Sequence, residues 1–436
     1  MKRRCVLVRL ELHKVKINDI KWGNTTKVED KVLYINQEEI SSLLSKDDRF
    51  ECVEVDLARP GEKVRIVPVK DVIEPRCKIE GEGDVFPGFI GDVEGTVGEG
   101  KTLALTGAAV VTCGKIMGFQ EGIIDMSGPG ADYTPFSKTN NVVLVFTPRA
   151  DIERHDYEAA CRVAGLKVAH FLATKAKDVS PDEVSLYELE EITKRSKELE
   201  KLPKVAYIYM LQSQGLLHDT YVYGVDAKKI LPTLIHPNEV FDGAIVSGNC
   251  VSACDKNSTY VHQNNPVIEA LYKRHGEEIN FIGCIITNEN VTLEDKKRNS
   301  SYTVKLARML GVDGVIITEE GFGNPDTDLI MNCKKAELAG IKTVLITDEY
   351  AGRDGASQSL ADASPEANAV VSVGNANPIV KLPPMERVIG FSEYVDIIAG
   401  GFSGSLKDDG SIEVELQAIT GATNELGFTC FSAETR

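Results

Sequence analysis

The chain lacks any apolar run approaching the roughly 18 residues that cross a bilayer, which argues against a membrane-spanning protein. Basic side chains are also in deficit: 49 lysines and arginines face 66 acids, for a formal charge of −17. Such a balance disfavours nucleic acid or an anionic membrane as a partner and leaves small molecules and other proteins. The ten cysteines include no CxxC pair and are scattered through 436 residues, so neither a disulfide scaffold nor a zinc module is indicated. Internal repeats and disordered tracts are missing too. The opening Met1-Lys2-Arg3-Arg4 is basic, but Cys5-Val6-Leu7-Val8 is too short for a secretory core and Arg9 interrupts it. These absences point to a cytoplasmic protein.

What is present is ordinary globular composition, 42% hydrophobic and 26% charged, in a chain long enough for two or three domains. Up to residue 148 apolar residues alternate, as at Leu10, Leu12, Val15 and Ile17, and then at Val53, Val55 and Leu57. That period predicts a β-rich first domain, with one short helix at 37–44. Small residues at Thr106-Gly107-Ala108 and Ser127-Gly128-Pro129-Gly130 suit close backbone packing. Residues 149–202 turn to Ala, Glu, Lys and Leu at helical spacing, and Ser180-Pro181-Asp182-Glu183 reads as a helix N-cap. This stretch is expected to be a helical bridge.

From 203 to 436 strand-length apolar runs alternate with helical ones. Strands are expected at 205–210, 243–246, 281–286, 314–318, 343–347, 369–373 and 395–399, helices at 265–275, 302–310 and 327–339, and a last strand at 412–416. The rhythm is that of a doubly wound, mainly parallel α/β region, so the whole is α/β, or α+β overall. Such sheets bind ligands beyond the carboxyl ends of their strands. Here the loops at 287–290, 319–324, 347–350 and 374–377 are polar enough to line one site.

The stretch Ser247-Gly248-Asn249-Cys250-Val251-Ser252-Ala253-Cys254 follows one of the apolar runs. Cys250 therefore falls where a buried strand gives way to a loop. Most of the cysteines, Cys284 among them, read as small buried hydrophobes, and that reading is open for Cys250 as well. A thiol here can also attack the Asn249 carbonyl to give a thioester. Elimination from the β-carbon would leave dehydroalanine, and hydrolysis of its tautomer a pyruvoyl group, an electrophile made from the chain itself. Thioester hydrolysis would instead free an N-terminal Cys250 nucleophile with its own amine as base, the arrangement of an amidohydrolase. A Cys250–Cys254 redox or metal pair is a weaker reading, since CxxxC lacks supporting ligands. His218 and Asp219, adjacent after another apolar run, could move protons or could simply be structural. Arg353 in a Gly-rich loop is a candidate clamp for a substrate carboxylate or half of a salt bridge.

Longer stretches are more specific than any of these. Asp71-Val72-Ile73-Glu74-Pro75-Arg76, Gly118-Phe119-Gln120-Glu121-Gly122, Tyr133-Thr134-Pro135-Phe136-Ser137-Lys138, Leu217-His218-Asp219-Thr220-Tyr221, Gly321-Phe322-Gly323-Asn324-Pro325-Asp326 and Tyr350-Ala351-Gly352-Arg353-Asp354-Gly355 join the Cys250 segment in one pattern. Over nearly its whole length the chain resembles the substrate-specific component B of glycine, sarcosine and betaine reductases, in its alpha/beta proprotein form. The resemblance begins near Val8, which makes Val8 a second candidate for the initiating residue beside Met1; intact mass distinguishes them.

The resemblance implies cleavage between Asn249 and Cys250, giving associated fragments 1–249 and 250–436, the second carrying a pyruvoyl group derived from Cys250. It implies an oxidoreductase in which a substrate amine forms a Schiff base with that group. A selenolate on a separate, selenocysteine-containing component B subunit then attacks the α-carbon. The carboxymethyl group passes to selenoprotein A, component C releases acetyl phosphate, and a thioredoxin system supplies electrons. Glycine and sarcosine have amines that can condense with a carbonyl; the quaternary nitrogen of betaine has no lone pair and cannot. A non-catalytic assembly subunit is the remaining alternative. Cys254 has no role assigned by sequence.

Overall fold

The computed structural model of the chain describes residues 7–93, 97–116, 121–214, 220–248, 257–420 and 426. It is a mixed α/β structure containing several sheets. Among the described residues no helix is long and apolar enough to cross a membrane.

The alternating N-terminal pattern folds into two larger sheets and a small one of Asp19–Trp22, Val32–Ile35 and Lys27–Glu29. One of the larger sheets runs in the order Gly122–Asp125, Val64–Ile73, Ala108–Gly114, Asn140–Pro148, Phe50–Ala58. The other runs Glu183–Leu189, Val8–Lys16, Gly100–Thr106, Arg76–Glu80. The helix Gln37–Leu44 forms where its apolar spacing places it, with the Asn36 side chain accepting the Glu39 N–H. The long helix Arg154–Thr174 packs on the first sheet through Tyr157, Cys161, Ala164 and Ala169. Gly165 permits this approach, because a Cβ there would lie 2.6 Å from the Thr112 side chain.

Helical spacing over 149–202 is realised in Arg154–Thr174 and Ile192–Glu198, but Glu183–Leu189 is a strand, paired antiparallel with Val8–Lys16. The N-cap reading of Ser180–Glu183 is thereby corrected. Asp182 does not cap a helix; its carboxylate accepts the Lys16 N–H at 2.8 Å, closing the end of the neighbouring strand. The sequence from 183 alternates, with Tyr187 and Leu189 buried and Val184 and Leu186 exposed, and this period of two outweighs the cap signal.

The C-terminal sheet has the order Thr233–Ile235, Asn280–Asn288, Lys204–Leu211, Gly314–Thr318, Lys342–Glu349, Val370–Asn375. All neighbours are parallel except the antiparallel edge strand Thr233–Ile235. Both faces are covered. Tyr207, Tyr209 and Leu211 pack with Val261, Val267 and Ile268, whereas Ala206, Ile208 and Met210 pack with Val304, Ala307 and Leu329. Apolar side chains on both faces explain why this strand reads as a continuous hydrophobic run. The helices Pro266–Arg274, Leu293–Leu310 and Asn324–Leu338 include the expected ones, the second beginning well before 302 because Thr292 caps it.

Two further departures concern placement, at 243–246 and 395–399, whereas the last expected strand forms at Ile412–Glu415. Ile245–Ser247 is a strand, but it belongs to a small sheet with Thr220–Val222 and Val225–Asp226 rather than to the parallel one. Residues 395–399 form turns, not a strand. Ile412–Glu415 pairs with Ile379–Leu382, and Arg387–Gly390 returns to pair with Val64–Ile73. Gly390 is needed at that junction: its φ is +100° and a Cβ would lie 2.1 Å from the Val67 carbonyl oxygen.

Candidate functional site

The strands Lys204–Leu211, Asn280–Asn288, Gly314–Thr318 and Lys342–Glu349 emerge on one edge of the parallel sheet, and the polar loops that follow them meet there. The Glu289 carboxylate accepts the N–H groups of Glu320 at 2.6 Å and Gly321 at 3.3 Å. Thr347 donates its hydroxyl to Glu319. Phe322 stacks on Tyr350 with centroids 4.0 Å apart, while Asn375 and Asn377 accept the N–H groups of Ala351 and Gly352. The four loops singled out by polarity are therefore contiguous.

Glu320 is the hub. It is fully buried, and three chain segments converge on its carboxylate. Oε2 accepts the Gln212 N–H and the Thr220 hydroxyl, both at 2.7 Å. Oε1 accepts the Asn257 N–H at 3.0 Å and lies 3.2 Å from His262 Nε2. His262, also fully buried, has its other nitrogen 2.6 Å from the Tyr209 hydroxyl. A carboxylate, with two oxygens and about four lone-pair sites, can receive the Gln212, Thr220 and Asn257 donors at once; an amide or hydroxyl cannot.

A second anchor lies on the N-terminal sheet. The Ser247 N–H donates to Thr259 Oγ1 at 3.0 Å, the Thr259 hydroxyl donates to Asp71 Oδ2 at 2.6 Å, and the Thr259 N–H donates to Asp71 Oδ1 at 2.8 Å. Asp71 belongs to Val64–Ile73, all of whose residues are buried. Thr259→Val should leave the Ser247 N–H without its acceptor and Asp71 one donor short. We expect a loss of about 1–3 kcal/mol, seen as a lowered melting midpoint that Thr259→Ser restores.

Around this hub the acids are shielded from water. Burial pushes the carboxyl groups of Glu289 and Glu319 well above the usual range, and neighbouring acids push them the same way. Each retains its proton at pH values where an exposed glutamate has lost it. One oxygen of each, Glu289 Oε2 and Glu319 Oε2, is buried without a hydrogen-bond partner. Among the described residues no cluster of His, Cys, Asp and Glu could hold a metal ion. The thiols of Cys77, Cys113 and Cys284 are raised by burial, the first two to about 12, as befits inert core cysteines.

The residues singled out by sequence are distributed unevenly. Asn249, Cys250 and Cys254 lie outside the described residues, as do His218 and Asp219. Their described neighbours Gly248, Asn257 and Thr220 border the Glu320 and Thr259 anchors. Arg353 is placed otherwise: its Nε is 2.8 Å from Glu415 Oε1 and its guanidinium lies 4.6 Å from the Phe402 ring centre. Glu415 also accepts from Asn377 at 3.1 Å, so Arg353 adjoins the polar loops through an ion pair. Sequence reasoning did not single out Glu320, His262, Tyr209 or Thr259. The only hint was the acidic pair Glu319-Glu320 directly after an apolar run.

A family model described as glycine/sarcosine/betaine reductase component B subunits matches residues 8–434. Over 430 residues the chain is 63% identical to the glycine reductase complex component B subunits alpha and beta of Acetoanaerobium sticklandii, covering 98% of this chain and 100% of that one. Its counterpart of the same name in Peptoclostridium acidaminophilum is 62% identical over 427 residues, at 98% and 100% coverage. The sarcosine reductase complex component B subunit alpha of P. acidaminophilum is 58% identical over 426 residues, covering 98% and 99%. No solved structure matches.

Proposed function

The chain belongs to the glycine/sarcosine/betaine reductase component B subunits, and from that membership we propose that it is the pyruvoyl-bearing, substrate-activating subunit of a selenium-dependent reductive deaminase. One observation carries the reading. Two relatives, each one chain matched along 100% of its length, bear the name of two subunits, alpha and beta, which is what one chain divided at Asn249–Cys250 would yield. The higher identity to the glycine reductase components than to the sarcosine one, 63% and 62% against 58%, favours glycine as the substrate.

The described residues fit a group of this kind. Both ends of the segment holding Cys250 are tied to buried side chains, and the neighbouring strand ends carry buried carboxyls with unpartnered oxygens, acceptors suited to the N–H groups of a small amine. A pyruvoyl carbonyl supplies an electrophile for the substrate amine. This chain's own residues hold the flanking backbone, exclude water from the strand ends and keep protons on Glu289 and Glu319. The nucleophile comes from outside: a selenocysteine-containing component B subunit delivers the selenolate. Selenoprotein A takes the carboxymethyl group, component C forms acetyl phosphate, and a thioredoxin system supplies reducing equivalents.

Mass analysis of the purified native protein, with and without borohydride, tests the reading. We expect fragments 1–249 and 250–436, the second with a blocked N-terminus that borohydride reduces by two hydrogens. A chain that remains whole, or a second fragment beginning with a free Cys250 amine, overturns it; the latter would indicate the amidohydrolase.

A further inference from the structure

We propose that Glu320, backed by His262, is the positioning residue for cleavage before Cys250: one buried carboxylate holds the chain on both sides of the processing segment. This rests on the pyruvoyl reading above and names a device within the chain that would make it work.

Thr220, whose hydroxyl donates to Glu320 Oε2, is paired in the small sheet with Ser247. Two residues beyond Ser247 is Asn249, whose carbonyl is the target of the thiol. On the far side the chain re-enters the described structure at Asn257, whose N–H donates to Glu320 Oε1. The strand before the scissile bond and the residue after the processing segment are thus referred to the two oxygens of one side chain. The Glu320 backbone is itself held by the Glu289 carboxylate at 2.6 Å. The tether is two residues long before the scissile bond and seven after it, so fixing both of its ends to one side chain limits the conformational freedom to be lost on bringing the Cys250 thiol to its neighbouring carbonyl.

A purely structural role does not account for His262. Its Nε2 is fully buried, lies 3.2 Å from Glu320 Oε1, and makes no aligned hydrogen bond. A nitrogen in this state is costly unless something uses it. It stands at ion-pair distance from the carboxylate oxygen that receives the backbone N–H of the residue after the processing segment, and so backs Glu320 Oε1.

The chemistry being positioned needs no oxidant or reductant. In the acyl shift the sulfur–carbon bond forms, the peptide carbon–nitrogen bond breaks, and the thiol proton passes to the departing nitrogen. Elimination breaks the Cβ–S bond and removes the Cα proton, leaving a thiocarboxylic acid on Asn249. One water then converts the enamine to the carbonyl with loss of ammonia.

The test follows appearance of the 1–249 fragment from newly synthesised full-length chain, comparing wild type with Glu320→Gln, Thr220→Val and Thr220→Ser, and recording the melting midpoint of each. We expect Glu320→Gln to slow cleavage about 100-fold or more, the effect of a displacement near 1 Å. Thr220→Val should slow it and Thr220→Ser restore it. Hydroxylamine, which cuts thioesters but not peptides, should release no fragment from the Glu320→Gln precursor. Folded Glu320→Gln cleaved at the wild-type rate, or yielding fragment with hydroxylamine, overturns the proposal. If Glu320→Gln does not fold, the Thr220 pair decides, and equal rates for Thr220→Val and wild type overturn it. A wild-type chain that is never cleaved sinks the pyruvoyl reading itself, whereas a cleaved wild type with equally cleaved variants sinks only the role of Glu320.

Discussion

Cys250→Ala should leave the chain whole at 436 residues and reduce the activity of the assembled reductase to background. Alanine has no nucleophile to attack the Asn249 carbonyl and no leaving group at Cβ, so neither the acyl shift nor the elimination can occur. The loss is therefore complete rather than graded. Cys250→Ser makes the informative contrast: a hydroxyl can form the ester in place of the thioester, and elimination from serine leads to the same dehydroalanine, but its nucleophile is weaker at neutral pH. Slow cleavage and partial activity are expected. Folding should survive both changes, because the anchors on either side, Ser247–Thr259 before and Asn257–Glu320 after, do not involve residue 250. Electrophoresis, a melting curve and an activity assay on the reconstituted complex separate the outcomes. An unprocessed but fully active Cys250→Ala complex would make this chain an assembly subunit and end the catalytic reading.

Much of this was legible in the residues. Strands such as Lys204–Leu211 and Asn280–Asn288 are buried on both faces and announce themselves as apolar runs. Their polar sequels, from Glu289 to Asn377, mark the carboxyl ends where the loops meet. Other features depended on competition that spacing cannot decide. Glu183–Leu189 carries a helix-start signal before it, yet an unpaired edge at Val8–Lys16 recruits it as a strand. Ile245–Ser247 has the length and polarity of a parallel strand, and only its partner Thr220–Val222 assigns it elsewhere. The Glu320 hub was illegible for a related reason. Its contacts come from residues 212, 220, 257 and 262, a convergence made by tertiary structure and encoded in no local pattern. By sequence the Asp71–Arg76 stretch is only a mark of resemblance, yet its side chains brace the chain on both sides of residues 249–256.

Arg76→Met gives that bracing role a measurable size. Arg76 is fully buried and lies 2.6 Å from Glu74. Its guanidinium also donates to the Phe241 carbonyl and, at 2.7 Å, to Asn264 Oδ1. Glu74 is tied in turn to Gln263, whose side chain accepts its N–H at 3.0 Å and donates to its carbonyl at 3.2 Å. The turn after Val64–Ile73 therefore grips the chain on both sides of residues 249–256. Methionine would fill much of the volume but leave the Glu74 carboxylate buried without its cation and the Phe241 carbonyl without this donor. Removing one member of such a pair costs about 3–5 kcal/mol, a large fraction of ordinary domain stability. The pair itself need not be stabilising overall, since apolar replacements of both members are often neutral or better. Arg76→Met with Glu74→Leu should then recover much of the loss, so that the double variant melts above Arg76→Met alone. Melting of Arg76→Met at the wild-type midpoint would show that the ion pair bears no such burden. Recovery of stability in the double variant without recovery of chain cleavage would separate holding the fold together from holding the Cys250 segment in register, because only the charged pair reaches Phe241 and Asn264 together.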